Sequence, residues 1–229
     1  MARSGTISGP RHGPGHQADA ASGPVSGPGG AAAGQAVAED EALSDDALLT
    51  LFANGDPLAA RSLTARLGPR AFSVALRMLG DRDEAEDVAQ EAMMRLWKMA
   101  PDWRPGEAQV STWLYRVATN LCLDRKRRES RAGLSRLDDV QEPLDPAMGA
   151  PEQMQADARS DALQAALMSL PDRQRQAVVL RHIEELSNPE IAGVMEISVE
   201  AVESLTARGK RALAAALSGR REELGYSDG

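Results

Sequence analysis

The sequence predicts an all-α protein: two small helical domains joined by a flexible linker, with a disordered N-terminal tail. Three observations predict it. Only seven of the 229 residues are aromatic, too few to line a large β-sandwich or barrel, whereas Ala, Leu, Arg and Glu, which favour helix, abound. Apolar residues recur at helical spacing from Ser44 to about Ser130 and again from about Ser160 to Leu224. Before and between those stretches the spacing is lost.

Each segment follows from its composition. Residues 1–43 hold nine Gly, four Pro, ten Ala and four Ser, with almost nothing to bury, so ordering them has no compensating gain and a disordered tail is expected. Residues 131–159 form the expected linker, since RAGLSRLDDVQEPLDPAMGAPEQ mixes three prolines with scattered acids and shows no sustained period. The domains then occupy 44–130 and 160–229, each large enough for a small core.

Charge and cysteine content narrow the function. With 26 basic and 34 acidic side chains, the net charge is -8, which argues against a strongly basic protein that binds nucleic acid unaided. The one cysteine, Cys122, excludes an intramolecular disulfide and a multi-thiolate zinc site. The opening MARSGTISGPRHGPGHQ lacks an apolar core of signal-peptide length, and nowhere do about 18 apolar residues run together. A cytoplasmic chain without direct membrane insertion is expected.

Local charge is far from even. DRDEAEDVAQE at 81–91 is acidic, and DRKRR at 124–128 carries four bases in five positions, which predicts faces of opposite sign for separate partners. On a helix, Ala85, Val88, Ala92, Leu96 and Met99 share one stripe, while Asp83, Asp87, Gln90 and Glu91 converge on the other side. That acidic side is either solvated or a docking face for a basic protein surface.

The helix expected over 111–128, STWLYRVATNLCLDRKRR, turns Trp113, Leu114, Val117, Ala118, Leu121 and Cys122 toward a core, with Cys122 a small buried hydrophobe. Arg116, Thr119, Asn120, Lys126 and Arg127 are expected on its other side. Guanidinium groups suit phosphates, Asn suits a base edge, and Trp103 and Trp113 could stack on unpaired bases. Taken singly these are core tryptophans beside a cationic helix end; together they point to nucleic acid.

The C-terminal stretch carries a helix-turn-helix pattern. Leu170-Pro171 ends one helix and Asp172 is expected to cap the next. Ser187 and Glu190 have capping-box spacing with Pro189 in the first turn, and after a break at Glu196-Ile197, Ser198 is placed to cap a longer helix. That helix buries Val199, Val202, Leu205, Gly209 and Leu213, and presents Glu200, Glu203, Ser204, Ala207, Arg208 and Arg211. Serine and arginine read base edges, but two glutamates repel phosphates, so this half alone should bind DNA weakly. A helical hairpin for protein contact is the simpler alternative. Enzyme signatures are missing: there is no P-loop and no H-E-x-x-H pair, and His12 and His16 fall in the tail, leaving His182 as a helix-surface histidine. No catalytic residues, cofactor or metal site are expected.

DEAEDVAQEAMMRLWK followed by STWLYRVATNLCLDRKRR resembles region two of the sigma-70 family, and LPDRQRQAVVLRHIEELSNPEIAGVMEISVEAVES resembles region four. Their order, with a linker between, is similar to that of the extracytoplasmic-function (ECF) sigma factors, over about residues 44–217. The resemblance implies an alternative sigma factor that joins bacterial RNA polymerase core and promoter DNA. It assigns Asp87, Gln90 and Glu91 to the β′ clamp, and the loop 101–110 with Trp113, Arg116, Thr119 and Asn120 to reading and melting the minus-ten element. Arg125, Lys126, Arg127 and Arg128 fall at the basic end of that helix, on phosphates. Region four is assigned to the β flap, with Glu200, Ser204, Ala207, Arg208 and Arg211 over the minus-thirty-five element. Asp138, Asp139, Glu142 and Asp145 in the linker are assigned to the polymerase channels. An anti-sigma factor wedged between the domains is a further implied partner.

Three features depart from the family pattern. Glu196 stands where glycine is usual in the turn, which predicts strain and a wider turn, and Glu203 and Leu205 replace basic residues that would meet phosphates. Two other functions remain compatible with parts of the chain. A free-standing helix-turn-helix regulator would use only 172–217. A sigma mimic that sequesters an anti-sigma protein would have no need for Arg116, Asn120 and the run 125–128.

Overall fold

A computed structural model describes residues 43–131 and 151–218; among them are eight α-helices and one 3-10 turn, and no strand. The tail expected over 1–43 lies outside the described residues except for Leu43, as does the stretch 132–150 of the expected linker.

Helix α1 spans Asp45–Ala53 and starts on Ser44, whose hydroxyl accepts from the Ala47 amide at 3.2 Å. Helix α2, Pro57–Leu79, starts on Asp56 with proline in its first turn, and Pro69 inside it gives up one backbone hydrogen bond. It ends on Gly80 at φ 78°, where a Cβ would come within 3.0 Å of the Met168 sulfur. Helix α3 is Arg82–Met99, capped by Asp81. A 3-10 turn, Ala100–Asp102, and a loop then lead to α4, Val110–Arg131.

Helix α5 spans Pro151–Met168, so the expected linker 131–159 is helical from 151 onward. PEQMQADAR contains good helix formers but no apolar stripe, which is why periodicity missed it. Helix α6 is Asp172–His182, α7 is Asn188–Met195 and α8 is Val199–Ser218. The Ser187–Glu190 capping box forms with both of its bonds, and Ser198 Oγ accepts from the Ala201 amide at 3.2 Å. Asp172, expected to cap α6, does not: Pro171 precedes the helix with no side-chain cap, and the Asp172 carboxylate faces Lys126 of α4 and Arg175 one turn along α6.

Helices α1 to α4 pack as one bundle and α6 to α8 as a second, and buried side chains run continuously from one to the other. Gly209 sets the closest approach within the second bundle. A Cβ there would meet Val178 Cγ2 at 2.5 Å and the Gln174 carbonyl at 3.1 Å, so α8 lies on α6 only because the side chain is missing.

Arg175 joins the two bundles. It is 2% exposed, and its guanidinium donates to the carbonyls of Met78 (2.7 Å), Leu167 (2.8 Å), Met168 (2.8 Å) and Leu170 (2.9 Å). These are the last carbonyls of α2 and α5 and the residue beyond, the negative ends of two helix dipoles. Burial lowers the arginine's affinity for its proton and the Asp172 carboxylate, 3.6 Å away, raises it. Arginine stays charged in proteins, and here each buried carbonyl partner is satisfied.

Two outcomes are expected in urea denaturation. Arg175→Ala leaves the Met78, Met168 and Leu170 carbonyls without their guanidinium donor and lowers stability by about 3 kcal/mol or more. Gly209→Ala gains helix propensity but overpacks α8 on α6, for a net loss of about 1–2 kcal/mol; an unchanged midpoint would contradict the close approach.

Candidate nucleic-acid interface

Helix α3 carries the acidic face as the spacing predicts. Ala85, Val88, Ala92 and Leu96 are fully buried, and Asp87 and Gln90 are exposed while Glu91 is half-buried. The basic end of α4, however, is not a separate face. Arg125 folds back on α3: it donates to the Glu84 carboxylate, lies 3.8 Å from Asp87 and reaches the Glu84 carbonyl at 3.3 Å. One shallow depression therefore combines Asp87, Gln90 and Glu91 with Arg125 and Arg128, and Met94, 48% exposed, lines it as well. Arg95 pairs with Glu91 one turn away at 2.8 Å. The expectation of separate acidic and basic surfaces is corrected, because α3 and α4 are packed neighbours.

Helix α4 is rotated from the expected orientation. Leu114, Ala118 and Cys122 are buried as predicted, but Trp113, Val117 and Leu121 are only half-buried, and the stripe is completed by Val110, Tyr115 and Thr119. Thr119, predicted to face solvent, is fully buried, with its hydroxyl donating to the Tyr115 carbonyl at 2.8 Å. It has no surface on which to meet a nucleic acid. Arg116 and Asn120 do face outward, as do Arg127 and Arg128. Trp103 is tied down by its indole N–H, which donates to Asp46 at 2.8 Å.

Several of the α4 cations are already paired. Arg116 Nη2 lies 2.6 Å from the Glu196 carboxylate, Lys126 donates to Asp172 at 2.6 Å, and Arg127 pairs with Asp124 on its own helix. Tyr115 donates its phenol to Glu184 at 2.6 Å, and burial together with that carboxylate raises the phenol's pKa. The sequence reading missed Glu184, Glu196 and Asp172 as partners. They lie 46 to 80 positions away from the groups they contact, beyond any local pattern.

Helix α8 matches its expected orientation. Val202 and Gly209 are buried, Val199, Leu205 and Leu213 are half-buried, and Glu200, Glu203, Ser204, Ala207, Arg208 and Arg211 are all exposed. A hydrogen bond from its own backbone amide, and after it one from the Ser198 hydroxyl, hold the Glu200 carboxyl below its usual range. Between α7 and α8 the turn is Glu196, Ile197 and Ser198, with Glu196 at φ 54° in the left-handed region. The strain expected at Glu196 is present, and the turn stays three residues long rather than widening. Partial desolvation first, and then the nearby Lys210 and Arg181 cations, lower the pKa of His182. Among the described residues no cluster of His, Cys, Asp and Glu could hold a metal, and no helix is long and apolar enough to cross a membrane.

Two family descriptions fit this chain: Sigma-70 region 2 over residues 63–132 and Sigma-70, region 4 over residues 160–213. The ECF RNA polymerase sigma factor SigE of Mycolicibacterium smegmatis is 36% identical over 165 residues, which are 70% of this chain and 63% of that one. This chain thus spans less than two thirds of that relative. SigW of Bacillus subtilis is 33% identical over 63% of this chain and 81% of its own length. Among solved structures, CnrH in complex with the cytosolic domain of CnrY aligns with TM-score 0.56 and 28% identity over 76% of this chain and 97% of that one. RpoE of Bartonella quintana, solved with the anti-sigma factor NepR, aligns with TM-score 0.57 at 20% identity over 69% of this chain and 96% of that one, a likeness of fold.

Cys122 lies on the buried face of α4 with no exposure, and desolvation pushes its thiol up to about 12 against the pull of Arg125 and Lys126. Alkylation of the native chain near neutral pH is expected on the order of a thousandfold slower than for a free thiol; rapid labelling before unfolding would contradict the packing.

Proposed function

We propose, for a chain that belongs to the extracytoplasmic-function sigma factors of the sigma-70 family, that it is an alternative sigma factor. It binds core RNA polymerase, locates promoters through two DNA elements and opens the duplex at one of them. Its role is non-catalytic and cytoplasmic, with core polymerase supplying the chemistry.

The orientation of α8 supports this most directly. Burying Val202 and Gly209 turns Ser204, Arg208 and Arg211 outward on the second helix of a helix-turn-helix, the position from which such a helix enters a major groove. Arg208 and Arg211 are suited to guanine edges or phosphates, and Ser204 to either. Glu200 accepts from a cytosine amino group, and Ala207 gives an apolar contact to a thymine methyl. This half would occupy the minus-thirty-five element and rest on the β flap.

In the first bundle, Asp87, Gln90 and Glu91 form the docking face for the β′ clamp. Arg125 belongs with that face rather than with DNA, because both carboxylates it approaches are on α3. Arg116 and Asn120, with Trp113 and the loop before α4, are assigned to the minus-ten element, where extruded bases would be held off the stack. Lys126, Arg127 and Arg128 would track the backbone. An anti-sigma factor is the expected negative regulator.

Net charge explains why the chain would need its polymerase. At -8, it lacks the cation excess that drives counterion release on DNA, so most of the electrostatic affinity must come from the larger complex. Promoter DNA binding, measured by fluorescence anisotropy at about 0.15 M salt, is expected only after core polymerase is added. Arg208→Ala or Arg211→Ala should weaken promoter binding by the complex by about 1–3 kcal/mol, with helix content unchanged. Tight promoter binding by the purified chain alone would contradict the proposal.

A further inference from the structure

We propose that Asp46 is a positioning residue for the loop before α4: through Trp103 it fixes where residues 104–109 stand, and so acts on promoter opening rather than on promoter binding. The consequence for opening rests on the sigma-factor proposal, which assigns that loop to the minus-ten element. The anchoring itself does not.

The loop is rooted at both ends and exposed between them. At its start the Trp103 indole, half-buried against the core, donates its N–H to Asp46 Oδ1 at 2.8 Å. At its end Val110 is buried. Residues 104–109 are all exposed. Within them Arg104-Pro105-Gly106-Glu107 closes a turn, with the Glu107 amide donating to the Arg104 carbonyl at 3.3 Å and Gly106 at φ 87°. Proline followed by a positive-φ glycine is the sequence of a type II turn. Such a turn stiffens the tip of the loop but does not locate it; location comes from the two roots.

Asp46 is itself firmly placed. In α1, Leu48 and Leu49 are fully buried, and Phe52 lies against Trp97 of α3 with ring centroids 4.6 Å apart. The neighbouring Asp45 pairs with Arg66 of α2 at 3.2 Å, and the same guanidinium donates to the Leu43 carbonyl at 2.7 Å. Two successive carboxylates in the first turn of α1 therefore serve different elements: Asp45 ties the helix to α2, and Asp46 ties it to the loop. The helix dipole favours an acid at either position, but it does not account for a carboxylate aimed at an indole 57 residues away.

The bond fixes a direction as well as a contact. An indole has one donor, and an ionised acceptor makes the stronger partner for it. With that N–H taken, the ring is oriented, and the Trp103 backbone follows in extended conformation at φ -64° and ψ 133°, its amide donating to the Ala100 carbonyl at 3.2 Å. The chain thus leaves the 3-10 turn along one path. A base drawn out of the stack repays its unstacking only if the groups that receive it already stand in place. Recognition of the closed duplex is assigned above to α8 and the backbone-tracking cations of α4, so loss of the Asp46 bond falls on the opening step.

The test uses the full chain, first alone and then with core RNA polymerase. With isotope-labelled tryptophan, the indole N–H resonance that Trp103→Phe removes should move toward that of an unbonded indole in Asp46→Ala, and far less in Asp46→Asn, whose side-chain carbonyl still accepts. Asparagine also lacks the charge, which separates the bond from an effect on the helix dipole. With core polymerase, Asp46→Ala should lower the open fraction of a promoter, read by permanganate oxidation of unpaired thymines, about five- to tenfold. Binding of the closed duplex at low temperature, read by anisotropy, should stay as in wild type. Asp46→Asn should recover most of the opening, and adding Asp46→Ala to Trp103→Phe should cost nothing further. An unmoved resonance would overturn the anchoring. Equal losses of binding and opening, or an asparagine variant as defective as the alanine one, would overturn the positioning role. A wild type that opens no promoter with core polymerase, while the resonance moves as expected, would instead count against the sigma-factor proposal.

Discussion

Arg175 is a charge that water scarcely reaches, and its guanidinium collects the terminal carbonyls of two helices that belong to different halves of the chain. Such a burial is costly unless the donors find acceptors, and here they find carbonyls at helix ends, where intrahelical donors run out. Removing either side harms the other. The bonds to Leu167, Met168 and Leu170 stay within the C-terminal half, whereas the bond to Met78 reaches across. One side chain thereby serves as internal support for α5 and α6 and as the pin that sets them against α2.

That pin brings two opposite electrostatic demands together. Helix α4 carries cations along its outer side, and in a chain with a net charge of -8 the second bundle places carboxylates on two of them. The surface pairs are individually weak in water. The same logic applies on α3, where Arg125 restrains Glu84 and Asp87 and keeps the acidic face from repelling itself.

Much of this is written locally in the sequence. The α3 stripe is legible because alanine, valine and leucine recur with no competing signal, and Ser44, Ser187 and Ser198 announce helix starts through bonds that span three residues. The orientation of α4 is harder to read. Trp113 and Leu121 dominate any estimate of hydrophobicity, yet the second bundle covers Tyr115 while Thr119 satisfies its hydroxyl on its own helix, so the buried face turns toward them. Arg175 is a clue that could have been used: it falls one turn before Val178 and Val179, on a face otherwise apolar. Asp172 resembles a cap by position, but a lysine 46 residues earlier claims it. Contacts of that kind have no periodicity to betray them, and the start of α5 at Pro151 likewise carries no apolar stripe.

Under the proposed sigma function, each bundle engages its own stretch of promoter while core RNA polymerase holds both. Run-off transcription with reconstituted core RNA polymerase, on a library of genomic fragments, measures that directly. Transcripts that begin downstream of a shared pair of sequence elements, and that vanish when this chain is left out, are the expected result. A chain that associates with core polymerase yet starts no transcripts from any fragment would contradict it.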